Sequence, residues 1–325
     1  MGEEHRLTAV PAAPSIDHVI RLDDVSVSFP CDDGTRRLVL NNLDLHVRRG
    51  ELVTLVGPSG CGKSTLLRLI LGAARPTSGS VRVNGEPVLG LSRDRGIVFQ
   101  QYSLFPHLRV FENVSIGPVL DQTSLVERYL MLPSFFRKRA LARERAREYI
   151  RRIGFDAADA EKFPYELSGG MRQRVAIAQA MIMQPQVLLM DEPFGALDHN
   201  TRTEMQLFLL EQWKEHGTTI IFVTHDLDEA CYLGTRVLGL SQYWVTDDDK
   251  PGAGALICTD VRTPGAHPKP STIRATAEFC ELVQRVGRDV LDPENRRRLA
   301  QFNLTHQDAA PAVPILQAST GGSDG

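Results

Sequence analysis

The run Gly57-Pro58-Ser59-Gly60-Cys61-Gly62-Lys63-Ser64-Thr65 fits the pattern G-x-x-x-x-G-K-[ST]. Glycines let a backbone wrap closely enough to aim its N–H groups at phosphate oxygens, and a helix starting there adds its positive end. Lys63 then supplies a point charge to the β and γ phosphates, and Ser64 a hydroxyl to Mg²⁺. A glycine-rich turn before a core helix would not require a Lys-Ser pair at this offset. At Val187-Leu188-Leu189-Met190 an apolar run ends in two adjacent acids, Asp191 and Glu192. Ligands of open α/β sheets bind at the carboxyl ends of strands, so Asp191 would hold Mg²⁺, directly or through water. Glu192 would polarise a water for in-line displacement at phosphorus. Alone, such acids read equally well as a solvated turn; beside a phosphate loop they read as hydrolytic chemistry. A third stretch, Leu167-Ser168-Gly169-Gly170-Met171, opens the helical segment Arg172 to Met183. Ser168 reads there either as a plain N-cap or as part of a second anion site.

The elements that must carry these groups are legible around them. Apolar residues alternate at Val25, Val27 and Phe29 and again at Leu43, Leu45 and Val47, with Asp33-Gly34 between, which predicts antiparallel strands. Val81 and Val83 followed by Asn84-Gly85 predict another strand and a hairpin turn. Leu52 to Val56, the glycine-rich loop and Leu66 to Leu71 form a strand, loop and helix. From Asp121 to Phe163 the pattern turns helical and arginine-rich, an insertion in the α/β core. Strand signals return at Val187 to Met190, Thr219 to Val223 and Val237 to Leu240, separated by helical stretches such as Thr203 to Lys214. That alternation implies a mostly parallel sheet. Beyond Trp244 a cluster of prolines and glycines reads as a linker, after which Phe279, Leu282, Val283, Val286 and Val290 fall on one helical face. The expected organisation is a flexible N-terminus over 1–17, an α/β unit over 18–245 with a helical subdomain at about 101–180, a linker and small C-terminal helical extension over 246–308, and a disordered tail over 309–325.

Composition narrows the function. A chain of 325 residues, 42% hydrophobic and 24% charged, has room for roughly two domains and the profile of an ordinary globular protein. The longest uncharged window, Val175 to Met190, includes Gln179, Gln184, Pro185 and Gln186, so no membrane span is expected. Glu3, Glu4, Pro11 and Pro14 give the start no secretory character, and a cytoplasmic location is expected. Lys and Arg (37) nearly balance Asp and Glu (40), which leaves no general field for nucleic acid or anionic lipid. Cys31, Cys61, Cys231, Cys258 and Cys280 are widely spaced and form no Cys-x-x-Cys pair, so they read as free thiols.

With Ser168-Gly169-Gly170 in this position, the chain resembles the ATP-binding cassette (ABC) family, whose signature is Leu-Ser-Gly-Gly followed commonly by Gln; Met171 departs from that Gln. The resemblance covers about residues 20–245 and extends to the other motifs in family order. It implies a P-loop NTPase cassette with a mostly parallel core sheet, an antiparallel β subdomain and a helical signature subdomain. It implies that Phe29 stacks on adenine, that Gln100 in Ile97-Val98-Phe99-Gln100-Gln101 senses Mg²⁺ and the attacking water, that Asp198 belongs to the D-loop, and that His225 contacts the γ-phosphate. The metal ligands it implies are Ser64, Gln100 and Asp191; the catalytic residues are Glu192, His225 and Gln100. The nucleotide contacts are Phe29, Gly57 to Thr65, Ser168, Gly169, Gly170 and Asp198, with ATP and Mg²⁺ bound. In the family the phosphate loop of one cassette faces the signature of another, so a homodimer or a paired cassette subunit is implied.

Val98-Phe99-Gln100 to Pro106-His107-Leu108, Asp191 to Asp198 and Thr224-His225-Asp226-Leu227-Asp228-Glu229-Ala230 look most like bacterial importer ATPases of the nitrate, sulfonate and taurine group. The resemblance implies a peripheral subunit on the cytoplasmic side of the membrane. An integral-membrane permease would be contacted between Gln100 and Val119, a solute-binding protein would act indirectly, and no nucleic acid would be bound. Asp121 to Arg139 is longer than usual for that group. Arg137 to Arg152 carries eight basic residues and two acids, a solvated helix by preference and a membrane or permease contact otherwise. Competing readings are a lipid-handling or export cassette, a cassette acting on nucleic acid, and a non-cassette P-loop kinase. Lys63 and Ser168 are too close in sequence for a long coiled coil, and the signature argues against the kinase. Cys61, inside the phosphate loop, is expected to react with bulky thiol reagents unless ATP protects it.

Overall fold

The computed structural model describes residues 18–32, 34–100 and 104–314. The expected flexible stretch 1–17, Asp33 of the expected turn, Gln101 and the tail 315–325 lie outside the described residues.

Strands β1 (His18–Pro30) and β2 (Arg36–Arg48) pair antiparallel, and β4 (Ser78–Val83) and β5 (Glu86–Pro87) extend this sheet in the order β2-β1-β4-β5. The β4–β5 turn is Asn84-Gly85, with φ of 54° and 80°, the left-handed pair that a two-residue hairpin demands. Between the two hairpins, β3 (Leu52–Val56) feeds the phosphate loop and helix α1 (Lys63–Leu71). Strand β6 (Arg95–Val98) leads into the helical insertion: α2 (Val110–Gln122), α3 (Leu125–Tyr129), α4 (Pro133–Arg152), α5 (Ala157–Ala160) and α6 (Gly169–Met181). Then β7 (Val187–Asp191), α7 (His199–His216), β8 (Thr219–Val223), α8 (Leu227–Leu233) and β9 (Arg236–Ser241) complete the alternation.

Strands β9, β3, β8, β7 and β6 run parallel, in that order, and their two faces build two cores. Leu52, Leu188, Met190, Ile220 and Phe222 face the helical insertion, α7 and α8. Val53, Leu55, Val187, Leu189, Ile221 and Val223 face α1 and the antiparallel sheet. This strict alternation within runs that are apolar throughout is what burial on both faces requires.

The arginines of α4 are largely occupied within the fold. Arg143 and Arg147 lie over the Phe111 ring at 5.1 and 5.5 Å, Arg145 donates to the Ile182 carbonyl, and Arg152 pairs with Glu148 and Glu215. Helix α3, by contrast, has no buried residue and exposes Leu125, Val126 and Tyr129. Glu127 ties it to α4 by accepting from Lys138 Nζ and Ser134 Oγ.

The C-terminal region corrects the sequence reading. Beyond β10 (Trp244–Val245), the stretch expected as linker forms β11 (Leu256–Arg262), which joins the central sheet antiparallel to β9. Helix α9 (Ala277–Leu291) follows, then β12 (Arg297–Arg298) beside β10, and β13 (Asn303–Leu304), parallel to β11 at the sheet edge. The physical reason is charge: Arg236 on β9 is fully buried, and Asp260 on β11 takes its guanidinium through two bonds of 2.7 and 2.6 Å. An unpaired guanidinium there would cost several kcal/mol. The extension is therefore strand and helix together, with Phe279, Leu282, Val286 and Val290 of α9 in the same core as α8. Ala309 to Pro314, expected as tail, are described: Arg48 clasps Asp308 bidentately at 2.6 and 2.8 Å, and Asn42 Nδ2 donates to the Val313 carbonyl.

Candidate functional site

Strand β3 ends at Val56, and the loop that follows can be tight only because two positions lack a side chain. A Cβ at Gly57 would lie 2.3 Å from the Leu240 carbonyl oxygen. At Gly62, with φ of 106°, it would lie 2.6 Å from Leu40 Cδ2. Gly62 caps α1, so the free N–H groups of that helix open onto the loop. Lys63 is 9% exposed, and its Nζ donates to the carbonyls of Gly57 and Pro58 at 2.8 and 2.9 Å, which holds the ammonium inside the ring a phosphate would enter.

Ser64 Oγ donates to Asp191 Oδ2 at 2.7 Å, joining the first turn of α1 to the end of β7. Glu192, one residue on, sits at φ 48°. A non-glycine residue in the left-handed region is costly and is retained where the surroundings over-determine it. Its Oε2 is met from two sides: Gln100 Nε2 donates at 3.1 Å, and His225 Nδ1 lies at 3.4 Å. Gln100 follows β6 and His225 follows β8, so neighbouring parallel strands deliver the cluster at their carboxyl ends.

These groups line one cleft of about 700 Å³, which also takes in Ser59, Gly60, Gly62 and Thr65. Phe29 forms part of its wall and is 47% exposed, so this ring is not a core residue of β1. The structure adds Pro30, Cys31, Arg37 and Val39, which the sequence reading missed. The signal available was the pairing of β1 with β2, which sets Arg37 opposite Phe29.

Other expected site residues lie elsewhere. Ser168 is the N-cap of α6, accepting from Met171 N at 3.2 Å, and is exposed; Gly169 and Gly170 form the first turn. Met171, where the family has Gln, packs its side chain against the helical core. Asp198 caps α7 by accepting from Thr201 N at 3.1 Å, and the Thr201 hydroxyl and N–H hold its carboxyl below the usual range. Neither the Ser168–Gly170 turn nor Asp198 lines the cleft. They belong together instead, since a Cβ at Gly170 would meet Leu197 and the Ala196 carbonyl. Cys61 requires correction: its side chain is 2% exposed within the core between α1 and the antiparallel sheet, and burial pushes its thiol pKa up. A thiol so placed is protected from reagents with or without nucleotide.

The donor set fits a hard cation. The Ser64 hydroxyl and Asp191 carboxylate offer adjacent oxygens, and the Gln100 side chain is at the same end of the sheet. The arrangement as a whole can bind a polyphosphate through Lys63 and the loop, and can place a carboxylate beside its terminal phosphorus.

Comparison with known proteins agrees. The family model described as ABC transporter matches residues 40–195. The aliphatic sulfonates import ATP-binding protein SsuB of Bacillus cereus is 40% identical over 222 residues, 68% of this chain and 81% of that protein. The nitrate import ATP-binding protein NrtD of Synechocystis sp. is 45% identical over 204 residues, 63% of this chain and 71% of the other. Among solved structures, a dimeric post-hydrolysis state of the ATP-binding cassette MJ0796 bound to ADP and Pi is 30% identical, with a TM-score of 0.61, over 76% of this chain and 100% of that one.

Proposed function

The chain belongs to the ABC transporter family as an ATP-binding subunit that hydrolyses ATP in coupling to transport, and we propose that it drives import of a nitrate-, sulfonate- or taurine-like solute through a separate membrane permease. The observation that carries the reading is the division of groups. Lys63, Ser64, Gln100, Asp191, Glu192 and His225 converge in one cleft, while Ser168, Gly169, Gly170 and Asp198 stand outside it. One chain then supplies one half of each of two sites, and ATP closes two cassettes face to face. Relatives named as sulfonate and nitrate import proteins support the choice of solute class.

In this reading Phe29 receives the adenine, and Lys63 with the α1 N-terminus takes the β and γ phosphates. Ser64, Asp191 and Gln100 would hold Mg²⁺, which when bound supplies neutralisation of charge on the phosphate oxygens. Gln100 and His225 both address Oε2 of Glu192, so Oε1 is the oxygen that accepts the proton of the attacking water. Ser168 and Gly170 of the second cassette close over the γ-phosphate. None of the helices among the described residues is long and apolar enough to cross a membrane, and we place the subunit on the cytoplasmic side, held by the permease.

Purifying Glu192→Gln from gently solubilised membranes of its host with ATP present tests this. The expected result is an ATP-loaded dimer with a multi-span permease, whose bound solute or gene neighbours name the cargo. Recovery of a soluble homodimer alone, or of ribosomal and nucleic-acid proteins, would overturn the import reading.

A further inference from the structure

His225 is 69% exposed at its side chain, so its aim toward Glu192 is set by the backbone on either side of it. Thr224 N donates to the Leu55 carbonyl at 3.3 Å and Arg202 pairs with Asp226 at 3.7 Å, and the rest of the support is a chain of side-chain hydrogen bonds. Thr224 Oγ1 accepts from Asp226 N at 3.1 Å and donates to Glu229 Oε2 at 2.7 Å. Glu229 is 5% exposed, and its other oxygen accepts from Gln206 Nε2 of α7 at 2.8 Å. Gln206 in turn accepts through Oε1 from Arg274 at 3.3 Å. Arg274 lies in the short turn Ser271–Ala275 before α9, pairs with Asp228 at 2.9 Å and covers the Tyr232 ring at 4.2 Å. Five residues earlier in the sequence, Lys269 Nζ donates to the carbonyls of Cys231, Tyr232 and Gly234 and closes the far end of α8. Helix α8 has only seven residues, too few to hold its own position.

We propose that Arg274 is a positioning residue for His225, acting through Gln206 and Glu229, so that the C-terminal segment sets the rate of ATP turnover. The inference rests on the catalytic roles of Glu192 and His225 given above. The chain of contacts is continuous from Arg274 to the two residues flanking His225, and every acidic or amide group along it is satisfied by the next. Removing the guanidinium frees the Gln206 carbonyl oxygen, and Glu229, whose pKa burial already raises, loses a fixed donor. Nothing in this chain touches the phosphate loop or Phe29, so ATP binding is independent of it.

The test is steady-state hydrolysis by the full chain carrying Arg274→Met, which keeps an apolar stem over Tyr232, with Arg274→Lys as the conservative variant. We expect Arg274→Met to lower kcat about tenfold while KM for ATP stays within about twofold, and Arg274→Lys to recover most of the loss. Combining Arg274→Met with Gln206→Met should give the rate of the slower single variant, because both cut one chain. Arg297→Met, which breaks the Arg297–Asp289 pair elsewhere in the same segment, should leave kcat unchanged. Unchanged kcat in a folded Arg274→Met protein, a rise in KM instead, or multiplicative losses in the double variant would overturn the proposal. If Arg274→Met does not fold, the same criteria apply to Gln206→Met, which cuts the same chain, with a loss of about tenfold expected. A separate His225→Ala measurement distinguishes the two layers: wild-type turnover there would remove the role of His225 itself, whatever Arg274 does.

Discussion

Helices α1 and α6 both begin with glycine and a hydroxyl, and both turn their free N–H groups outward, yet they sit in opposite surroundings. The start of α1 is enclosed: Lys63 is buried, Ser64 is bonded to Asp191, and Glu192, Gln100 and His225 stand across the cleft. The start of α6 is open, with Ser168 exposed and no charged partner among its hydrogen bonds. A polyphosphate needs cations and a water-activating carboxylate to be bound and cleaved, and only the first helix has them. The second offers dipole and hydroxyl alone, enough to complete a site but not to found one. On the proposed reading, the energy of binding lies in one half and the closing of the site in the other.

Mixing variants is the severest way to break that contrast. Lys63→Ala and Ser168→Arg alone should each lower hydrolysis about a hundredfold or more. An equal mixture should return to about a quarter of wild type, because half the dimers are mixed and each has one intact site. No recovery would mean that Ser168 serves its own chain. Phe29→Ala sharpens the picture of the enclosed half: KM for ATP should rise about tenfold with kcat little changed, the effect of losing one stacking surface. Equal losses in both parameters would show Phe29 to be structural. The smallest effect concerns the cysteines. Inhibition by a bulky thiol reagent that ATP prevents should disappear in Cys31→Ser, since Cys31 lines the cleft, and persist in Cys61→Ala. The reverse assignment would mean that the phosphate loop opens far enough to bare Cys61.

Much of this was legible in the amino-acid order. The phosphate loop is contiguous, so its chemistry is written in one stretch, and β3, β7 and β8 are short apolar runs whose burial on both faces leaves no other reading. Asn84-Gly85 fixes a hairpin by backbone conformation alone. The meeting of Gln100, Glu192 and His225 was legible only through family resemblance, because it joins the ends of three strands. Two features were not legible. Pro251, Gly252 and Gly254 look like a linker, and nothing local to Leu256–Arg262 announces that it will pair with β9; the buried Arg236 decides that from another strand. Cys61 was misjudged because neighbours in a tight loop point to opposite sides, and sequence position says nothing of which side faces the cleft.

The Arg236–Asp260 pair also bears on how the chain comes off the ribosome. The parallel strands are all synthesised by Ser241, but at that moment β9 is a bare sheet edge and its arginine has only Glu51, at 3.5 Å, and not the bidentate carboxylate of Asp260. Such an edge invites pairing with other chains, and a buried guanidinium that lacks its bidentate partner resists closure of the core. Completion waits until Asp260 and then β13 have emerged, followed by Asp308, which Arg48 fastens across to the antiparallel sheet. A protein cut back to the motif-bearing stretch would keep every residue that lines the cleft and still lack the last piece of its own sheet.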